Sequence, residues 1–113
     1  MTLDEIIALL DLKVLTQPRD FSTIQVSRGY ASDLLSCVMA GATHGGVWVT
    51  LQAHVNIVAV AVLLEQAAVI ITENAQPDDA TLARANQEGV TLLSTPRSTF
   101  YVAGKLWEKG IRD

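Results

Sequence analysis

The sequence predicts an α/β fold, a single layered domain with a mostly parallel sheet of four or five strands and helices on both faces. Three observations predict it. Strand-like and helix-like stretches take turns almost from end to end, which is how a parallel sheet with crossover helices reads. Ala68-Val69-Ile70-Ile71-Thr72 is a continuous apolar run of strand length, as expected of a strand covered on both sides. Finally, Val47-Trp48-Val49-Thr50-Leu51 alternates with period two and leads through a polar loop into the apolar run from Ile57 to Leu64, a strand that hands over to a helix.

The remaining elements follow in order. Thr2 with Glu5 three residues on forms a capping box, opening an amphipathic helix to Leu10. Lys13 to Thr16 is a short strand candidate, ended by the polar stretch around Pro18. Ile24 to Tyr30 alternates like a half-buried strand, and Ser32-Asp33 then caps a helix through Leu34, Leu35, Val38 and Met39 to Gly41. Within it Cys37 reads as a buried small hydrophobe, whereas His44, beside the Gly45-Gly46 turn, reads as solvated. Asn56 is the expected N-cap of the helix from Ile57 to Leu64. That helix is apolar all round, which predicts near-complete burial. Pro77-Asp78-Asp79 starts the next helix, with Leu82, Ala83 and Ala85 inward and Gly89 closing it. Val90 to Ser94 is the last strand, and Ser98 or Thr99 caps a final helix to about Lys109, stopped by Gly110.

Size and charge bound the function. The chain has 113 residues, half of them apolar, enough for one domain with a real core. Its formal charge of -4 comes from twelve acids and eight bases with no Lys/Arg block, so a nucleic-acid or anionic-membrane footprint is missing. The single cysteine cannot form an internal disulfide and no signal peptide opens the chain, which makes the cytoplasm the expected location. From Gly45 to Leu64 no residue carries a formal charge, yet a membrane span is excluded because Thr50, Gln52, His54 and Asn56 sit in its middle.

Polar groups stand at four strand ends: Ser32-Asp33, Gln52 to Asn56, Thr72-Glu73-Asn74 and Ser94-Thr95-Pro96-Arg97-Ser98. In a parallel sheet these ends converge on the carboxyl edge, where ligands bind in α/β proteins. The candidate ligand-binding residues are therefore Thr50, Gln52, His54 and Asn56, with Ser32, Asp33, Ser94 and Thr95. Many such residues are also what helix caps and turns require. Gln52 and His54 stand out because neither is a favoured cap.

No phosphate-binding Gly-x-x-x-x-Gly-Lys-Ser/Thr loop is present, and Gly41-x-x-x-Gly45-Gly46 lacks its lysine. Two histidines, one cysteine and scattered carboxylates give no zinc-ligand spacing, so no metal and no cofactor are expected. Ser94, His54 and Asp33 could supply a hydrolytic triad, but no Gly-x-Ser-x-Gly elbow accompanies them. The residues favour a non-catalytic module for a small polar or anionic ligand over a protein-interaction subunit, and either over an enzyme. Surplus apolar surface predicts a homodimer through Phe100, Tyr101, Leu106 and Trp107 of the last helix.

Three segments carry a resemblance. Gly29-Tyr30-Ala31-Ser32-Asp33-Leu34-Leu35-Ser36-x-Val38-Met39-Ala40, then Trp48-Val49-Thr50-Leu51-Gln52-x-His54-x-Asn56-Ile57-Val58-Ala59-Val60-Ala61, then Leu93-Ser94-Thr95-Pro96, resemble the small stand-alone DRTGG-domain proteins. Those are similar to the amino-terminal domain of HPr kinase/phosphorylase and to regulatory segments attached to CBS domains and some phosphotransacetylases. The eponymous Asp-Arg-Thr-Gly-Gly motif is replaced here by Ala42-Thr43-His44-Gly45-Gly46, which keeps the paired glycines. The resemblance implies an α/β domain of the HPr-kinase amino-terminal type over residues 1–113, with a regulatory or sensing role and no kinase activity.

Overall fold

A computed structural model describes residues 1–113, and its centre is a five-stranded sheet in the order β1-β5-β4-β3-β2. The strands are β1 (Lys13–Val14), β2 (Gly29–Ala31), β3 (Val47–Thr50), β4 (Ala68–Ile71) and β5 (Leu92–Ser94). β2 to β5 lie side by side in chain order and all run parallel, whereas β1 pairs antiparallel with β5 at the edge. The helices are α1 (Leu3–Leu10), α2 (Leu35–Gly41), α3 (Asn56–Leu63), α4 (Asp79–Glu88) and α5 (Thr99–Glu108), with one 3-10 turn at Phe21–Thr23.

The period-two pattern sorts the strand residues between two cores. Val47, Val49, Ala68, Ile70 and Leu93 pack under α1 and α5. Trp48, Val69, Ile71 and Leu92 point the other way, under α2, α3 and α4. Both faces are therefore covered, and the predicted layered architecture holds. A parallel β-α-β crossover is right-handed, so strands laid down steadily in one direction put their connecting helices on one face. That accounts for α2, α3 and α4 lying together. Trp48 is fully buried within the middle strand, and its indole N–H is satisfied by the Ser32 carbonyl at 2.9 Å.

Caps set most boundaries. The Thr2–Glu5 capping box opens α1, the Asp78 carboxylate accepts from the Thr81 N–H at 2.8 Å to open α4, and the Ser98 hydroxyl accepts from the Tyr101 N–H at 3.1 Å to open α5. Gly89, at φ 73°, closes α4.

Several expectations need correction. Only the last part of the Ile24 to Tyr30 stretch joins the sheet. Its first part runs against the chain start instead, with the Leu3 N–H donating to the Ile24 carbonyl and the Val26 N–H to the Met1 carbonyl, both at 2.8 Å. Alternation reports a half-buried extended chain but does not name its neighbour. β1 ends at Val14, and Thr16 contributes through its side chain, whose hydroxyl accepts from the Leu92 N–H at 3.1 Å.

α3 is not wholly buried. Ile57, Val58, Val60 and Ala61 face the core, but Ala59, Val62 and Leu63 face solvent, with Leu63 58% exposed. Its two neighbours on that face, α2 and α4, cover its flanks and leave an outer stripe bare. In α4, Thr81 and Ala85 are buried and Leu82 half-buried, while Ala83 is exposed. In α2 only Val38 is fully buried; Met39 and Cys37 are exposed, as is Leu34 just before the helix, so Cys37 is a surface thiol. No helix is long and apolar enough to cross a membrane.

Candidate functional site

The parallel run of β2 to β5 brings the four polar strand ends to one edge, as expected, and they form distinct groups along it. The first joins the ends of β2 and β3. Asp33 Oδ1 accepts from the Thr50 hydroxyl at 2.9 Å and from the Leu51 N–H at 2.8 Å. Thr50, fully buried, accepts in turn from the Gln52 N–H at 3.1 Å, and the Gln52 amide donates to the Asp33 carbonyl at 3.1 Å. The Ser32 hydroxyl accepts from the Leu34 N–H at 3.2 Å. Asp33 was expected to cap α2. Instead it caps the end of β3 and ties two loops together, and Leu34 precedes α2 with no side-chain cap.

The second group is the β3–α3 loop. Asn56 was expected as the N-cap of α3, yet it is the first helical residue, and Val55, in right-handed helical conformation, takes the cap position without a side-chain bond. His54 does the capping. Its Nδ1 accepts from the Asn56 N–H at 3.4 Å, and its carbonyl accepts from the Ile57 N–H at 3.0 Å. With Nδ1 an acceptor, a neutral His54 carries its proton on Nε2 as a donor. His54 and Asn56 are both exposed, and no protein group bonds the Asn56 amide. Backbone N–H groups of Ala53, His54 and Val55 likewise donate to no protein acceptor.

The Thr81 hydroxyl and N–H hold the Asp78 carboxyl below the usual carboxylate range.

The third group lies at the ends of β4 and β5. Ser94 and Thr95 are buried there. The Thr95 N–H donates to the Ile71 carbonyl at 3.0 Å and its hydroxyl accepts from the Arg97 N–H at 3.1 Å. β4 separates this group from β3, so Ser94 and Thr95 do not adjoin Thr50 as a next-strand neighbour; two strand spacings amount to about 10 Å.

Thr72 and Glu73, polar residues at the end of β4 whose role the sequence does not reveal, brace the start of α5. The Thr72 and Thr99 hydroxyls meet at 2.6 Å, and Glu73 Oε2 accepts from the Thr99 N–H at 2.9 Å, occupying the first turn of α5. Glu73 and Asn74 both have φ 60°, a conformation that non-glycine residues adopt at a cost and that local propensity does not foretell.

Ser94, His54 and Asp33 make no hydrogen-bonded chain, since Asp33 is engaged by Thr50 and Leu51 and His54 Nδ1 by Asn56. No three His, Cys, Asp or Glu side chains stand within reach of one metal ion. Two concavities open elsewhere. One, of about 360 Å³, lies between β2 and α5 over Gly29, Ala31, Leu106 and Trp107. The other, of about 300 Å³, lies between α3 and α4. None of the eight candidate residues lines either one.

A layered, mostly parallel α/β domain with its polar loops gathered on one edge is the class that fold and site define. Residues 43–108, more than half of the chain, match the family model described as the DRTGG domain. The chain belongs to the DRTGG domain family. Its fold is shared by the crystal structure of the CBS and DRTGG domains of the regulatory region of Clostridium perfringens pyrophosphatase, complexed with an activator, diadenosine tetraphosphate. That match has a TM-score of 0.74 at 15% identity and covers 93% of this chain and 45% of that one. This chain therefore spans less than half of that chain's length. The comparison with curated proteins gives no match.

The family match begins at the α2–β3 turn, on the edge of the sheet opposite the polar loops. There Gly45 has φ 79°, and a Cβ on Gly46 would stand 2.9 Å from the Arg28 carbonyl oxygen. The two glycines retained here thus serve the backbone. His44 beside them is solvated, as expected, and pairs with Glu65 at 3.3 Å.

Proposed function

We propose that this chain is a regulatory module whose carboxyl-edge loops bind a small polar or anionic ligand, a nucleotide or phosphorylated metabolite, and that it carries out no reaction of its own. The observation that supports this most is the start of α3. Three successive N–H groups, from Ala53, His54 and Val55, are left without a protein acceptor, beside a helix end that carries partial positive charge. His54 Nε2 and the Asn56 amide stand next to them as further donors. An anion is what such a set receives.

In this reading Asp33, Thr50, Ser32 and Gln52 position the loop, and His54 and Asn56 touch the ligand. A ligand long enough to cross the end of β4 would reach Ser94 and Thr95. The α5 start is a poorer receiver, since Glu73 already sits on it. The activator in the pyrophosphatase regulatory region is a nucleotide, which puts nucleotides first among ligands to try.

The experiment is a thermal-shift screen of nucleotides and phosphorylated metabolites. A ligand at a hundred times its dissociation constant stabilises the fold by about 2.7 kcal/mol, a melting shift on the order of ten degrees for a domain of this size. His54→Ala should shrink the shift while leaving a folded protein. An undiminished shift would remove His54 from the site.

A further inference from the structure

The exposed side of α3 is an uncharged, apolar stripe. From Asn56 to Leu64 no side chain is charged, and Ala59, Val62 and Leu63 face solvent, continued by Val55. The concavity of about 300 Å³ beside them is floored by Val58 and Ala59 and walled by α4. The charges on its rim are Arg84 and Glu88, one helical turn apart and 3.5 Å from each other.

We propose that this α3–α4 face is where two copies of the chain meet across a two-fold axis lying perpendicular to both helices. α3 and α4 both connect parallel neighbouring strands and so run in the same direction. Such an axis lays each of them antiparallel over its own copy. Positions on α4 are then reversed end for end, and an axis passing midway between Arg84 and Glu88 sets Arg84 of one copy opposite the partner's Glu88 and the partner's Arg84 opposite Glu88. One surface thus carries both halves of its own charge match, as a two-fold contact requires. Ala59 allows the two α3 helices to approach, and Val62 and Leu63 fill the partner's groove.

The expected contact through α5 fits less well. Leu106 is buried, the Tyr101 ring is covered by the Arg97 guanidinium at 3.6 Å, and Arg112 stands over the Trp107 ring at 4.7 Å. On α5 Phe100 is exposed, but Arg97 and Arg112 lie over the two aromatic rings that follow it, whereas no charge falls within the α3 stripe. This inference does not depend on any ligand at the carboxyl edge.

Charge reversal tests it without touching the core, because Arg84 and Glu88 are both exposed. In analytical ultracentrifugation at micromolar concentration the unaltered chain should sediment at about twice its 12.2 kDa mass. Arg84→Glu places like charges in register, as does Glu88→Arg, and each should weaken the dimer at least about tenfold. An equimolar mixture of the two variants restores opposite charges across the axis and should return a heterodimer. Leu63→Glu should give a monomer with an unchanged circular dichroism spectrum. The inference is overturned by a chain that stays at 12.2 kDa, by a dimer that survives both charge reversals, or by a dimer abolished by Phe100→Glu and untouched by Leu63→Glu.

Discussion

The Asp33 carboxylate and the Thr50 hydroxyl, 2.9 Å apart, clasp the ends of two neighbouring parallel strands. Thr50 is fully buried, so its hydroxyl depends on this bond for an acceptor. Asp33→Ala should cost about 1–3 kcal/mol, the penalty for stranding a buried polar group. At about 4–8 °C per kcal/mol the loss is visible in a melting curve. Asp33→Asn keeps the acceptor oxygen and should recover most of the stability. Equal destabilisation by both variants would show that the charge, and not the clasp, matters.

The glycine pair at the α2–β3 turn gives a second prediction. Gly45→Ala should cost about 1–2 kcal/mol, because its φ of 79° is left-handed. Gly46→Ala should cost more, since the obstruction is the Arg28 carbonyl oxygen, which is backbone and cannot swing aside. Chemical denaturation of the two variants measures the order. A benign Gly46→Ala would mean that the turn reshapes freely.

Acid should loosen the fold through two helix starts. Hydrogen bonds from Thr2 lower the Glu5 carboxyl, and hydrogen bonds from Thr81 lower that of Asp78. A carboxyl depressed in the folded state binds its proton less readily there than in the unfolded chain. Its contribution is therefore complete above the unfolded value and fades as pH falls through the lowered one. Urea midpoints should hold steady from neutral pH to about 5 and fall below about 4, the ordinary carboxylate range. Glu5→Gln combined with Asp78→Asn should flatten that fall, and an unchanged slope would assign it to other carboxylates.

How far the sequence foretold all this depends on what kind of information each residue carries. Thr2, Asp78, Ser98 and Gly89 act on backbone groups within a few positions, and their roles were legible. Val47, Trp48 and Val49 also read correctly, because a strand buried on both faces leaves little choice. Ile24 to Val26 were misplaced because alternation cannot choose between a strand partner and the chain start. The exposure of α3 and of Cys37 was hidden for a related reason: apolar character says what burial a residue favours, not whether neighbours suffice to supply it. Asp33 and Asn56 both depart from the caps expected of them. Asp33 bonds to Thr50, seventeen positions away, and that bond outweighs the local preference for capping α2. With His54 bonding the Asn56 N–H, α3 begins one residue early. The carboxyl edge was legible as a place, since it follows from parallel strands. Its division into groups was not, because that needs the strand order.

An anionic ligand received at the start of α3 would perturb the backbone amides there first. Titrating uniformly 15N-labelled protein with the best nucleotide or phosphorylated metabolite from a thermal screen, and following amide shifts, tests it most directly. The amides of Ala53, His54 and Val55 should move most, with Asn56 and Gln52 next, and His54→Ala should weaken the response. Largest shifts at Gly29, Ala31 and Trp107, around the concavity beneath α5, would contradict it.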